Sequence, residues 1–293
     1  MRDRRDSNGL APLRQVIGSL RAQVAPFLAV ALLFVPAPTA ETSSFADLNS
    51  VYGEVLRHVG DDGWVDYASL KTSPHLKRWS EGLARFEPDE LESADEADAI
   101  AFWINAYNGL TLQIVAERYP ISPTLLGSLL YPRNSIRQIS GVWDEILSPV
   151  AGRRLTLDQI EHSILRVEFD EPRIHLALVC AARGCPPLRN EPYCGEDLDR
   201  QLDDQVTRFV ADPAKFRISR TENVVYLSRI FEWYGEDFPL SYATQEFGDH
   251  DETTRAVLNF LSGYLPGADR NYLREGRFRV RYLDYDWSLN EAQ

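Results

Sequence analysis

Residues 101–118 read AFWINAYNGLTLQIVAER, preceded by Ser93-Ala94-Asp95-Glu96 and followed by Tyr119-Pro120. Ser93 with Glu96 three residues on is a capping-box pattern, so a helix is expected to open there. Pro120 ends it, because the ring removes an N–H and restricts the residue before it. The stretch between is apolar enough to predict a long, buried, central helix. Asn105 and Asn108 lie about 60° apart at 100° per residue, so both amides are carried into apolar surroundings and must find partners. Either they pin neighbouring backbone, for which an amide's donors and acceptor suit them, or they bind a substrate.

Upstream of that helix, Leu48, Val51, Val55 and Leu56 repeat at helical spacing. Gly60-Asp61-Asp62-Gly63 then breaks the pattern before a strand-like Trp64–Tyr67. Downstream, Thr156 with Gln159 forms a second capping box for LDQIEHSILR (157–166). Glu161 falls about 40° from Leu157 and Leu165, on the apolar face, where a carboxylate needs partners. Arg183, Arg189 or His175 would neutralise it in a structural network; general acid or base work is the other reading. Arg173–Val179 (RIHLALV) is a nearly continuous apolar run of strand length, expected to be covered on both faces. A helix at 198–210, strands at 216–219 and 224–227, a helix near 253–264 and a strand at 278–282 complete the reading. The expected fold is α+β: a single domain over 41–293, its long buried helix packed on a small mixed or antiparallel sheet.

The 293 residues are 44% hydrophobic, enough for a packed core, and carry a formal charge of -13. That charge disfavours a phosphate-binding surface, so no nucleic-acid partner is expected. Residues 1–40 read as an export signal, with five arginines, an apolar run from Val24 to Val35 and Pro36-Ala37-Pro38-Thr39-Ala40 before the cleavage point. The run is shorter than the roughly 20 residues needed to cross a bilayer, so no permanent anchor is expected and the protein is placed in the periplasm or outside the cell.

Three cysteines in an exported chain, Cys180, Cys185 and Cys194, leave at least one thiol unpaired within a monomer. Cys185 is the better nucleophile candidate, because a cation such as the neighbouring Arg183 lowers a thiol's pKa. If the strand reaches Cys180, His175 points away from that thiol and the two are poor direct partners. A disulfide, Cys180 with Cys185 or Cys185 with Cys194, is the alternative to a reactive thiol. The ligand atoms of His175 and the cysteines lack the spacing of familiar zinc sites, and no cofactor motif is present, so neither metal nor cofactor is expected. The candidate catalytic residues are Cys185, Cys180, His175 and Glu161, and the candidate substrate contacts are Asn105, Asn108 and Arg183.

AFWINAYNGLTLQ, LTLDQIEHSILR, RIHLALVCAARGCPPLRNEPY, LDRQLDDQVTRFV and FEWYGEDF, in this order over about residues 46–240, resemble the domain of unknown function 547 family. The resemblance implies an exported bacterial member of a family whose activity is unsettled. It also implies that Cys194 is the extra thiol, leaving Cys180 and Cys185 as the pair to explain. Some plant relatives join the domain to a glutaredoxin-like module, which by association favours thiol or disulfide chemistry. A long helix followed by a His-bearing strand is also similar, at a distance, to the papain and transglutaminase layout. The helix start holds no Cys, however, so any thiol nucleophile must come from the 180–185 loop. Two functions follow as expectations: a thiol-dependent enzyme, by acyl transfer or thiol-disulfide exchange, or a non-catalytic envelope binding domain with a structural disulfide. The partner is then a small molecule or an envelope protein.

Overall fold

The computed structural model describes residues 44–125, 127–248 and 250–292; the export signal expected over 1–40 lies outside the described residues. Helix α1 (Phe45–Leu56) is capped by Ser44, whose side chain accepts from the Asp47 N–H. It packs against α2 (Pro74–Arg85), which Pro74 opens at a position where a missing N–H is no loss. The long helix α3 (Glu96–Arg118) is buried over nearly its whole middle, Ile100 to Leu112. Its cap is Asp95, whose carboxylate accepts from the Asp98 N–H at 2.9 Å, and not Ser93. Ser93 instead terminates the short helix Pro88–Glu92, so of two competent caps the one nearer the apolar run wins.

Around α3 the neighbours are helices: α1, α2, the short Tyr67–Leu70, the π-helix Gln159–Leu165 and α4 (Leu198–Ala211). Trp79 of α2 lies against Gly109, where any side chain would strike the indole. The Thr156 and Gln159 capping box forms as expected, with each side chain bonded to the other residue's N–H. Strands β1 (Ser148–Val150) and β2 (Arg153–Leu155) make a small antiparallel hairpin. Trp64–Tyr67 is not a full strand: Val65 makes single bridges to Val59 and Glu291, and Tyr67 already starts a helical turn.

A second apolar cluster is built on β3 (Phe216–Ser219), β4 (Val224–Leu227) and β5 (Arg279–Tyr282) with helix α5 (Glu252–Ser262). β3 and β4 pair antiparallel while β4 and β5 pair parallel, so the sheet is mixed. The fold is therefore α+β, with a long buried helix and two small sheets. Among the described residues no helix is long and apolar enough to cross a membrane.

The run at 173–179 departs from the expected strand. Pro172–Leu176 forms a 3-10 helix, and the chain then extends without a neighbouring strand. Burial supplies the physical reason. An apolar run this short fits a helix-lined interior as well as a sheet. The Asn108 side chain also supplies hydrogen bonds that a neighbouring strand would have given: its amide donates to the Ala177 carbonyl at 3.0 Å and accepts from the Val179 N–H at 2.8 Å.

Candidate active site

Past Val179 the chain turns sharply through Cys180-Ala181-Ala182-Arg183-Gly184-Cys185. Ala181 adopts φ +58°, a left-handed conformation that side-chain-bearing residues seldom take and that marks a tightly constrained turn. The turn directs the Cys180 N–H onto Cys185 Sγ at 3.0 Å. Residues following β5 lie along the same loop, with the Arg183 N–H on the Ser288 carbonyl and the Gly184 N–H on the Asp286 carbonyl, both at 2.8 Å. They bring in Tyr285, whose hydroxyl donates to Cys185 Sγ at 3.1 Å and lies 3.3 Å from Cys180 Sγ. Glycine at 184 permits this approach, since a Cβ there would come within 2.8 Å of the Tyr285 ring.

The two thiols are free and close, not a disulfide, and the environment makes them unequal. Burial opposes ionisation of Cys185, but the Cys180 thiol, the Tyr285 hydroxyl and the backbone at Ala182 and Cys180 outweigh it and hold its pKa below the ordinary thiol value. Cys180 is pushed well above that value, first by its hydrogen bond to Cys185 and then by burial. Of the pair, Cys185 is thus the thiol that ionises first. The direction expected for Cys185 holds, but the expected cause does not. Arg183 lays its guanidinium over the Trp64 ring, 4.5 Å from the centroid, and donates to the Leu289 carbonyl. Cys194 stands apart, its thiol 3.9 Å from Asp197 Oδ2.

His175 Nε2 lies 2.7 Å from Asp237 Oδ2, and Arg166 grips the same carboxylate at 2.6 and 2.8 Å. Burial alone would raise the Asp237 pKa; the bonds from His175 and Arg166 reverse this and hold it well below the usual carboxylate range. The His175 ring stacks on Tyr234 with centroids 4.3 Å apart, and its Nδ1 is buried with no hydrogen-bond partner among the described residues. Glu161 is 6% exposed, as its place on the apolar face implies. Its neighbours differ from those expected: it interacts with the Tyr234 hydroxyl, with Arg166 as the nearby cation. Arg189 is taken by Glu191 and Asp204, His175 by Asp237, and Arg183 by Trp64.

Cys180, Cys185, His175 and Glu161 all line one cavity of about 480 Å³. Its walls add six aromatic residues, among them Tyr107, Tyr234, Tyr285 and Trp287. The three candidate substrate contacts lie elsewhere. Asn105 holds the Tyr193 backbone by its N–H and carbonyl, and Asn108 holds the segment leading to Cys180. Arg183 borders a neighbouring cavity of about 570 Å³, which shares Cys185 and Tyr285 with the first. Asp237, Tyr234 and Tyr285 were not singled out from the sequence. The first two lie in the FEWYGEDF block, a signal that was available, whereas nothing local marks Tyr285. Among the described residues no group of three or more His, Cys, Asp or Glu side chains is arranged to hold a metal ion.

Neither the curated proteins nor the solved structures yield a match to this chain. Residues 91–210, which run from ahead of α3 through the thiol loop and α4, match the family model described as "Protein of unknown function, DUF547".

Proposed function

We propose that the protein is a thiol-disulfide exchange enzyme in which Cys185 attacks and Cys180 resolves. The observation that carries this reading is the convergence of two free thiols on one tyrosine hydroxyl, at 3.1 and 3.3 Å, in the wall of an aromatic cavity. An unequal pair of this kind suits exchange, because one sulfur must ionise to attack while the other waits protonated.

The Cys185 thiolate attacks one sulfur of a substrate disulfide. The substrate sulfur–sulfur bond breaks, and the departing sulfur leaves as a thiolate and is protonated. Cys180 then gives up its proton and attacks Cys185 Sγ, forming the Cys180–Cys185 disulfide and releasing the second substrate thiol. The protein is oxidised by two electrons and the substrate disulfide reduced to two thiols; an external dithiol resets the pair. The reverse direction oxidises a substrate dithiol at the protein disulfide's expense. His175, oriented by Asp237, and Glu161 border the space where protons are exchanged. We place this chemistry outside the cytoplasm, where the leader read in residues 1–40 would carry the chain.

The His175–Asp237 pair favours a second reading, acyl transfer from Cys185. It ranks lower because, among the described residues, no thiol lies within hydrogen-bond reach of His175 Nδ1. The test is to expose protein purified without reductant to bis(2-hydroxyethyl) disulfide and follow intact mass. Wild type should lose two hydrogens as the internal disulfide forms. Cys180→Ser should halt at a mixed disulfide on Cys185, and Cys185→Ser should stay unmodified at neutral pH. Inert thiols in the native wild type would leave the non-catalytic binding domain as the better description.

A further inference from the structure

The cavity beside the thiols has a marked chemical bias. Asp144, Asp158 and Glu161 face it, running from the exposed rim to the buried floor. Asp158 makes no ion pair with an arginine or lysine among the described residues; the His162 ring lies 3.8 Å from it. Burial raises the Asp158 pKa, and the neighbouring charges of Glu161 and Asp144 raise it further, with His162 opposing. These carboxylates thus repel one another, and the one arginine that lines the cavity, Arg137, does not balance all three.

Aromatic faces supply the second bias. Trp143, Trp233, Tyr234, Tyr285 and Trp287 line the cavity. Arg137 shows how these rings behave towards a cation: its guanidinium sits 4.4 Å from the Tyr131 centroid, 5.3 Å from Trp143 and 5.0 Å from Trp287. One of its nitrogens donates to the Tyr131 hydroxyl at 2.5 Å, which fixes the guanidinium among the rings.

His175 is a third, independent indicator. Its side chain is almost wholly buried in the cavity wall, and Nδ1 has no partner. In a neutral ring that donates Nε2–H to Asp237, Nδ1 is an acceptor awaiting an N–H donor. Carboxylates, π faces and an empty imidazole acceptor complement the same group: a small ammonium with several N–H donors.

We infer that the substrate of this cavity carries an organic ammonium group close to its sulfur–sulfur bond. The sulfur part of the inference rests on the exchange reading above; the cation part does not. The test therefore separates binding from reaction. Three disulfides serve as probes: cystamine, which is cationic; bis(2-hydroxyethyl) disulfide, which is neutral; and oxidised glutathione, which is anionic. Binding is read from tryptophan fluorescence of the Cys180→Ser/Cys185→Ser double variant. Reaction is read from oxidation of the wild-type thiols, each rate divided by that of a small model thiol to remove leaving-group differences.

Cystamine should bind about ten-fold more tightly than the neutral disulfide, and react with the wild-type thiols about ten-fold faster, oxidised glutathione being slowest. Asp158→Asn and the more exposed Asp144→Asn should each reduce the preference by about three-fold. Asp89→Asn, outside the cavity, should leave it unchanged and so controls for net charge. Equal binding of cystamine and the neutral disulfide would overturn the inference whatever the thiols do. So would a preference that neither cavity aspartate affects. Cystamine binding without any thiol oxidation would uphold the cation site and overturn the exchange reading.

Discussion

Two sets of buried polar side chains, one on α3 and one facing the cavity, are treated in opposite ways by the fold. Asn105 and Asn108 each make bonds from both the oxygen and the nitrogen of the amide: Asn105 to the Tyr193 backbone and Asn49, Asn108 to Ala177 and Val179. His175, by contrast, has one ring nitrogen committed and one left over, and Cys180 and Cys185 are held reduced and in contact without being joined. Buried groups whose hydrogen-bonding capacity is fully used stabilise and position; those with capacity to spare are the ones free to react or bind.

The comparison is broken most severely at Asn108. Asn108→Ala strands the Ala177 carbonyl and the Val179 N–H together, and should cost about 3 kcal/mol in chemical denaturation. A loss under about 1 kcal/mol would show that this amide is not a structural clamp. Next comes Tyr285→Phe, which removes a donor from Cys185. Its pKa should rise, read from thiolate absorbance, with alkylation near neutral pH slowing about ten-fold. An unchanged titration would mean that the Cys180 thiol and the backbone donors suffice to lower it.

Asp237→Asn tests whether His175 and Arg166 depend on one carboxylate. The pair is partly exposed, so the expected loss is about 1 kcal/mol at neutral pH. The folded pKa of Asp237 lies below its unfolded value. Its contribution is therefore complete above about pH 4 and fades only as pH falls further towards the folded value. The asparagine variant should lose that acid limb of the stability profile, and an identical profile would remove Asp237 from the account. Cys194→Ser should do least, within about 0.5 kcal/mol of wild type and with unchanged exchange rates. A large effect there would promote the third thiol.

Local signals carried the sequence reading a long way. Apolar spacing placed α1 and α3, and it put Glu161 on a buried face even though that turn winds as a π-helix. The strands at 216–219 and 224–227 were legible because turn residues bound them on each side. Misreadings arose where long-range contacts decide. The run at 173–179 looks like a covered strand because an apolar sequence states that it is buried but not what covers it. Asp237 meets His175 across 62 positions and Tyr285 meets Cys185 across 100, and nothing in a single sequence links such pairs.

The site's dependence on Tyr285 bears on how portable this chemistry is. The stretch that matches the family, 91–210, contains both thiols, His175 and Glu161, yet neither Asp237 nor Tyr285. A fragment trimmed to those limits would keep Cys185 and lose the hydroxyl bonded to it, the carboxylate that orients the imidazole, and the Asp286 and Ser288 carbonyls that brace the thiol loop. A relative that keeps both cysteines but differs beyond that stretch is therefore expected to hold them at different acidities. Their chemistry is better compared at the residues that reach back onto the loop than at the loop itself.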